Sequence, residues 1–113
     1  MAMLAMALPI PAGKIEQWKK FVGELTGARK AEFAASRRSL GVRERTFLQH
    51  TPQGDLVVVT LEGDHPETAF AEFANRTDPF TVWFKQQVSE IQGIDLSVPP
   101  PGPMPQLVID SHS

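Results

Sequence analysis

Arg43, Arg45 and Glu62 are the ionisable residues best placed for chemistry, because a predicted hairpin brings them to one face of a sheet. Side chains alternate along a strand, so every second residue points the same way. In one interpretation an arginine holds a carboxylate substrate and Glu62 is its acid or base. In the other, the three form a salt-bridge group in an interface, since buried charges need partners. The sequence leaves both open.

His50 and Trp83 are further candidates to contact a ligand. Histidine exchanges protons near neutral pH, which suits a general base, but it also suits a hydrogen-bonded role at the rim of a hairpin. Trp83 falls on the apolar stripe of a predicted helix, where it either lines a pocket or belongs to the core. The candidates for catalysis are therefore His50, Glu62 and Arg45, and those for ligand binding are Arg43, Arg45, Glu62 and Trp83.

Asp64 and His65 come directly before Pro66, at a predicted helix start. They are candidates for an anion site at the helix N-terminus. The simpler interpretation, which we prefer, is that Asp64 caps the helix. Together with Glu62 they are too close in sequence for a metal site, and the chain has no cysteine. We therefore predict neither a metal nor a cofactor.

Residues 42–50 and 56–63 form the predicted hairpin, joined by a turn at 51–55 that contains proline and glycine. Both runs are rich in the β-branched and aromatic residues that favour strands. One face is mostly apolar and is expected to pack under helices. That face carries Val57, Val59 and Leu61.

The expected register places Thr51 opposite Leu56 and therefore Arg45 directly opposite Glu62. This second face mixes charged residues with hydrophobic ones such as Phe47. A sheet face that is neither fully apolar nor plainly polar predicts a partner subunit or a ligand cavity next to it.

The other predicted elements are a strand at 3–10, one long helix bent at Gly27 and capped by Gly41, and helices at 66–76 and 79–92. The long helix is expected to begin near Ala12. Lys30, Arg37 and Arg38 lie late in it, where cations suit the helix dipole and a solvated face is the ordinary expectation.

The C-terminal stretch, from residue 94 onward, differs in composition from the rest of the chain. Residues 94–98 and 106–110 are strand-like, and the proline-rich 99–105 between them is expected to be extended. Either strand-like piece is a candidate for a fourth strand, and the other would be an arm that crosses onto a neighbour. We therefore divide the chain into one domain, 1–98, and a tail, 99–113.

Composition narrows the function classes. The net charge of -2 does not support nucleic-acid binding. The absence of cysteine fits a cytoplasmic protein. The apolar N-terminal run lacks the basic start of a secretory signal, because no Lys or Arg precedes Lys14. It is also only half of a membrane span of about 20 residues. We therefore expect a first strand there and no membrane association.

The order β-α-β-β-α-β is the ferredoxin-like arrangement, an α+β fold with helices on one face of an antiparallel sheet. In this order, with segments such as 61–64, 78–85 and 93–96, the chain resembles an uncharacterised bacterial branch of the dimeric α/β-barrel superfamily, which includes antibiotic-biosynthesis monooxygenases. The resemblance covers roughly residues 3–98. It implies a homodimer whose sheets form a barrel and, in many members, a small-molecule pocket.

The resemblance does not imply a reaction, since one fold carries many functions. The first hypothesis is a homodimer that binds a small molecule, with a cofactor-independent enzyme of monooxygenase, isomerase or lyase type as its catalytic version. The small Ala5 and Ala7, which leave space on one sheet face, support it. The alternative is a non-catalytic dimeric assembly module fastened by its C-terminal arm.

Overall fold

The computed structural model describes residues 2–100 and 102–112 and has an α+β fold. Its elements, in chain order, are β1 (Ala2–Ile10), α1 (Ile15–Leu25), α2 (Lys30–Ser39), β2 (Val42–Thr51), β3 (Gly54–Gly63), α3 (Pro66–Asn75) and α4 (Pro79–Gln92). The strands of the described residues form an antiparallel sheet in the order β1-β3-β2. The central strand is therefore β3, with β1 and β2 on either side. None of the helices in the described part of the chain is long and apolar enough to cross a bilayer.

The hairpin register differs from the predicted one by two residues. Thr51 pairs with Gly54, so Arg43 lies opposite Glu62 and Arg45 lies opposite Thr60. The strands continue to the turn because the Thr51 hydroxyl donates to the Gly54 carbonyl at 2.6 Å and Gly54 adopts a φ of 128°. An even shift leaves every side chain on its predicted face.

The long predicted helix is wrong, because the structure divides it into α1 and α2. The chain turns at residues 26–29, where the Thr26 hydroxyl donates to the Val22 carbonyl at 2.9 Å. Gly27 allows this turn, since a Cβ on it would lie 2.8 Å from the Gly23 carbonyl oxygen. The start near Ala12 is also wrong, because α1 begins at Ile15. Gly41 ends α2 with a φ of 74°, as predicted.

The starts of α3 and α4 at Pro66 and Pro79 are confirmed, but their caps differ. At α4 the Asp78 carboxylate accepts from the backbone N–H and the hydroxyl of Thr81, at 3.1 and 2.7 Å. At α3 the cap residue is His65 and no side chain caps the helix. The capping role expected of Asp64 is wrong because Asp64 precedes the cap position by one residue.

No fourth strand is present in the described residues, so both candidates for it are wrong. The first candidate, 94–98, is followed at once by Pro99 and Pro100, which lack the amide that a ladder needs. Its Ile94 and Leu96 instead pack against the core. In the second candidate, Leu107, Val108 and Ile109 are 70%, 83% and 83% exposed.

The core lies between the sheet and the helices. Val57 and Leu61 are buried there and Val59 packs against them, which confirms the predicted apolar face. Burial of each large side chain contributes roughly 1.5–3 kcal/mol. None of the described helices covers the opposite sheet face, where Met3 and Phe47 are 46% and 55% exposed.

Candidate ligand cavity

A cavity of about 290 Å³ lies between the helix-covered face of the sheet and the helices. It is partly open to solvent, and its walls are mainly apolar. Aromatic rings come from several helices, and aliphatic side chains come from the sheet. The walls include Trp18, Phe21, Phe33, Phe73, Phe84 and Val59.

An ion pair between Arg37 and Glu44 forms a polar part of this wall. Arg37 Nε donates to Glu44 Oε1 at 2.7 Å, and the two side chains are only 9% and 8% exposed. The second oxygen, Glu44 Oε2, accepts from the Thr46 hydroxyl at 2.9 Å. Arg37 Nη1 donates to the Ser36 hydroxyl at 2.9 Å. Both carboxylate oxygens are therefore satisfied by hydrogen bonds.

Chain reversal at Gly41 brings this pair together. Arg37 lies in the last turn of α2, and Glu44 lies near the start of β2 on the row that faces the helices. The positive φ of Gly41 lets the chain turn from helix to strand within a few residues. Two residues that are seven apart in sequence thus meet across the helix-strand junction.

The Arg37 guanidinium also packs on aromatic rings. Its Cζ lies 4.9 Å from the ring centre of Phe33, 5.0 Å from that of Phe73 and 4.8 Å from that of Phe84. A cation at this range is attracted to the negative face of a ring. The rings and Glu44 together hold the guanidinium in one place at the cavity wall.

The structure places the predicted arginine and glutamate group on the opposite face of the sheet. Arg45 Nη2 lies 3.9 Å from Glu62 Oε1, and the two side chains are 42% and 30% exposed. Arg43 lies opposite Glu62 in the ladder. The three residues therefore share a face, as predicted, but the sheet separates them from the cavity.

His50 and Trp83 lie in two other places. His50 Nδ1 is 2.6 Å from Asp55 Oδ1 at the turn end of the hairpin, and its side chain is 66% exposed. Trp83 on α4 packs 5.5 Å from Phe21 and 5.8 Å from Phe80, with the Arg29 guanidinium 4.0 Å from its ring centre. The structure thus does not gather His50, Trp83 and Glu62 into one site.

Sequence reasoning missed the two charged residues of the cavity. Arg37 was expected on a solvated face, but it is only 7% exposed, because α2 turns it under the helices onto Glu44. Glu44 did carry a signal. It alternates with Val42 and Thr46 on the helix-facing row, where a carboxylate needs a buried cation.

These features define the class: an α+β protein with an apolar cavity between an antiparallel sheet and its helices, and a buried ion pair in the cavity wall. A comparison with models of protein families finds no match, and comparisons with curated proteins and with solved structures find none either. Within the described residues, no group of three or more His, Cys, Asp or Glu is placed to hold a metal.

Proposed function

We propose that this protein binds a small, mainly apolar molecule in the cavity between its sheet and its helices. The observation that carries the proposal is the apolar space of about 290 Å³ with an Arg37–Glu44 pair in its wall. Ligand sites generally combine apolar walls with a few polar groups that fix orientation. The sheet and four helices supply the walls, and the pair supplies the polar groups.

Volume sets the size of the ligand. A dry cavity of about 150 Å³ accepts benzene. The cavity here has about twice that volume, which suits a molecule of one or two rings. A long lipid or a nucleotide would extend well beyond it.

For a catalytic version of this function we keep the predicted reaction types, which are those of a cofactor-independent monooxygenase, isomerase or lyase. Among the described residues that line the cavity, Glu44 is the one carboxylate and Arg37 is the one cation. In a catalytic version Glu44 would be the acid or base and Arg37 would donate to an oxygen of the substrate. Arg45, Glu62 and His50, which lie outside the cavity wall, would then take no part in the reaction.

A matched pair of alanine substitutions on α3 tests the binding site. Ala69 lines the cavity, whereas Ala71 on the same helix is exposed. We expect Ala69→Leu to fill part of the space and to weaken the binding of ligands that raise the melting temperature of the wild type. Ala71→Leu should bind those ligands as the wild type does. If no small aromatic compound raises the wild-type melting temperature, the proposal fails.

A second proposal concerns assembly, and the exposed Phe47 and Met3 favour it. Phe47 lies opposite Val58, and Ala7 lies opposite Val58 on its other side, so the helix-free face has an apolar centre. We propose that two copies pair through these faces, as the resemblance to dimeric α/β barrels implies. Arg43, Arg45 and Glu62 would then meet the partner at one end of the interface.

Sedimentation equilibrium tests the assembly proposal. We expect Phe47→Glu to produce monomers, because it buries a charge at the centre of the interface. The control is Val82→Glu, since Val82 is also an exposed hydrophobic residue, at 40%, but lies on α4. Deleting residues 99–113 should also weaken association if the tail fastens the dimer. A wild type that is monomeric at all concentrations would contradict this proposal.

A further inference from the structure

We infer that the cavity selects an uncharged aromatic molecule of one or two rings that carries an acceptor oxygen, such as an aryl ketone. The inference rests on the proposed binding function and names the ligand class. Three properties of the cavity wall lead to it: its charge balance, its hydrogen-bond donors and its aromatic rings.

Charge balance comes first. Arg37 and Glu44, 2.7 Å apart, are nearly buried, and their charges sum to zero. No other ionisable side chain of the described residues lines the cavity. A ligand carboxylate would compete with Glu44 for Arg37, and a ligand ammonium would compete with Arg37 for Glu44. In either case one buried charge would lose its partner, which is strongly unfavourable. The wall therefore disfavours anions and cations alike.

The hydrogen bonds of the ion pair then favour a ligand with an acceptor. Glu44 already accepts from Arg37 and Thr46, and Thr46 uses its proton in doing so. Arg37 Nη2, in contrast, makes no hydrogen bond with the described residues. No fully buried side-chain nitrogen or oxygen of the described chain lacks a partner, so Nη2 is not fully buried. It is thus a donor that a carbonyl oxygen can use.

The aromatic side chains favour a ring. Phe33 and Phe84 lie parallel, with centres 6.3 Å apart and an angle of 7°, while Phe73 meets Phe84 edge-on at 5.7 Å. All three line the cavity. Rings arranged in both ways provide faces and edges for a further aromatic ring, which prefers such offset or edge contacts.

Four naphthalene compounds of similar size test the inference: 2-acetonaphthone, 2-ethylnaphthalene, 2-naphthoate and 2-naphthylmethylammonium. Trp18 lines the cavity and Trp83 does not, so the two indole N–H signals in ¹H–¹⁵N spectra report where a compound binds. Trp18→Phe and Trp83→Phe assign the signals. We expect the ketone to shift the Trp18 signal most strongly. Its affinity should exceed that of both charged compounds by about tenfold or more, and that of 2-ethylnaphthalene by a few-fold.

Changing the charge of the wall should change the selectivity. Glu44→Gln keeps the shape but leaves Arg37 without its counter-charge, so we expect the preference to move towards 2-naphthoate by about tenfold. In Arg37→Met/Glu44→Gln, which is again neutral, both charged compounds should bind weakly. Circular dichroism checks that each variant is folded, and the double variant serves as the test if Glu44→Gln does not fold.

The outcomes separate the two proposals. Binding of 2-naphthoate as tight as that of the ketone in the wild type would overturn the inferred ligand class while leaving the cavity as the binding site. An unchanged preference in folded Glu44→Gln would do the same. If none of the four compounds moves the Trp18 signal, the proposed binding function fails as well.

Discussion

Arg37 Nε and Glu44 Oε1 lie 2.7 Å apart beneath the helices, and neither side chain is more than one-tenth exposed. Arg45 and Glu62, on the other face of the same sheet, are 3.9 Å apart and 42% and 30% exposed. The two pairs have the same chemistry, but water screens only the second. Their contributions to stability should therefore differ widely.

Removing Arg37 should destabilise the protein strongly. Arg37→Met leaves the Glu44 carboxylate nearly buried with no cation, and breaking a buried pair in this way costs about 3–5 kcal/mol. Urea unfolding measures the change in the free energy of unfolding. The control is Arg38→Met, which alters an exposed residue of the same helix turn and should change stability by less than about 0.5 kcal/mol. Equal effects of the two substitutions would show that Glu44 does not depend on Arg37.

The exposed pair should behave differently. Arg45→Met and Glu62→Gln are each expected to change the free energy of unfolding by at most about 1 kcal/mol, because exposed ion pairs are screened and pay for side-chain ordering. A double-mutant cycle in urea gives the coupling directly. A coupling energy as large as that of Arg37 and Glu44 would contradict this ranking.

Gly23 and Gly27 should respond to alanine in opposite directions. A Cβ at Gly27 would lie 2.8 Å from the backbone oxygen of Gly23, so Gly27→Ala should distort the α1–α2 turn and destabilise by about 1–3 kcal/mol. A Cβ at Gly23 meets nothing within 4 Å, and Gly23 lies inside α1. Gly23→Ala should therefore stabilise by about 0.5–1 kcal/mol. Thermal unfolding followed by circular dichroism distinguishes the two signs.

Acid unfolding should depend on the α4 cap. The pKa of Asp78 is lowered from its ordinary value of 3.8, chiefly because the Thr81 hydroxyl donates to the carboxylate. A lowered folded-state pKa means that this contribution is fully present above the unfolded pKa and is lost as pH falls through the folded one. Stability should therefore fall less steeply below about pH 4 in Thr81→Val, which removes that donor, than in the wild type.

Urea titrations from pH 6 to pH 2 measure this difference. Thr77→Val is the control, since Thr77 is exposed and lies outside the cap. Parallel pH profiles for the wild type and Thr81→Val would contradict the role of the hydroxyl.

Local sequence signals determined the strands of the hairpin, the faces of its side chains and the starts of α3 and α4. These features depend on short-range rules: alternation along a strand, proline at the first helical position and a positive φ at glycine. The divided helix also had a local signal in Gly27, but the close approach to the Gly23 carbonyl, which leaves no room for a Cβ at Gly27, is a property of the folded backbone.

Tertiary structure alone decided the hairpin register, the missing fourth strand, the burial of Arg37 and the cavity. Each depends on contacts that exist only in the folded chain. The Thr51 hydroxyl donates to the Gly54 carbonyl, and α2 places Arg37 against Glu44 and the ring of Phe84. A pattern with a period of two or 3.6 residues shows on which face of a strand or helix a residue lies. It does not show how deeply another element buries that residue. The sequence therefore indicated charged residues on a sheet, and packing decided which pair was buried beside a cavity.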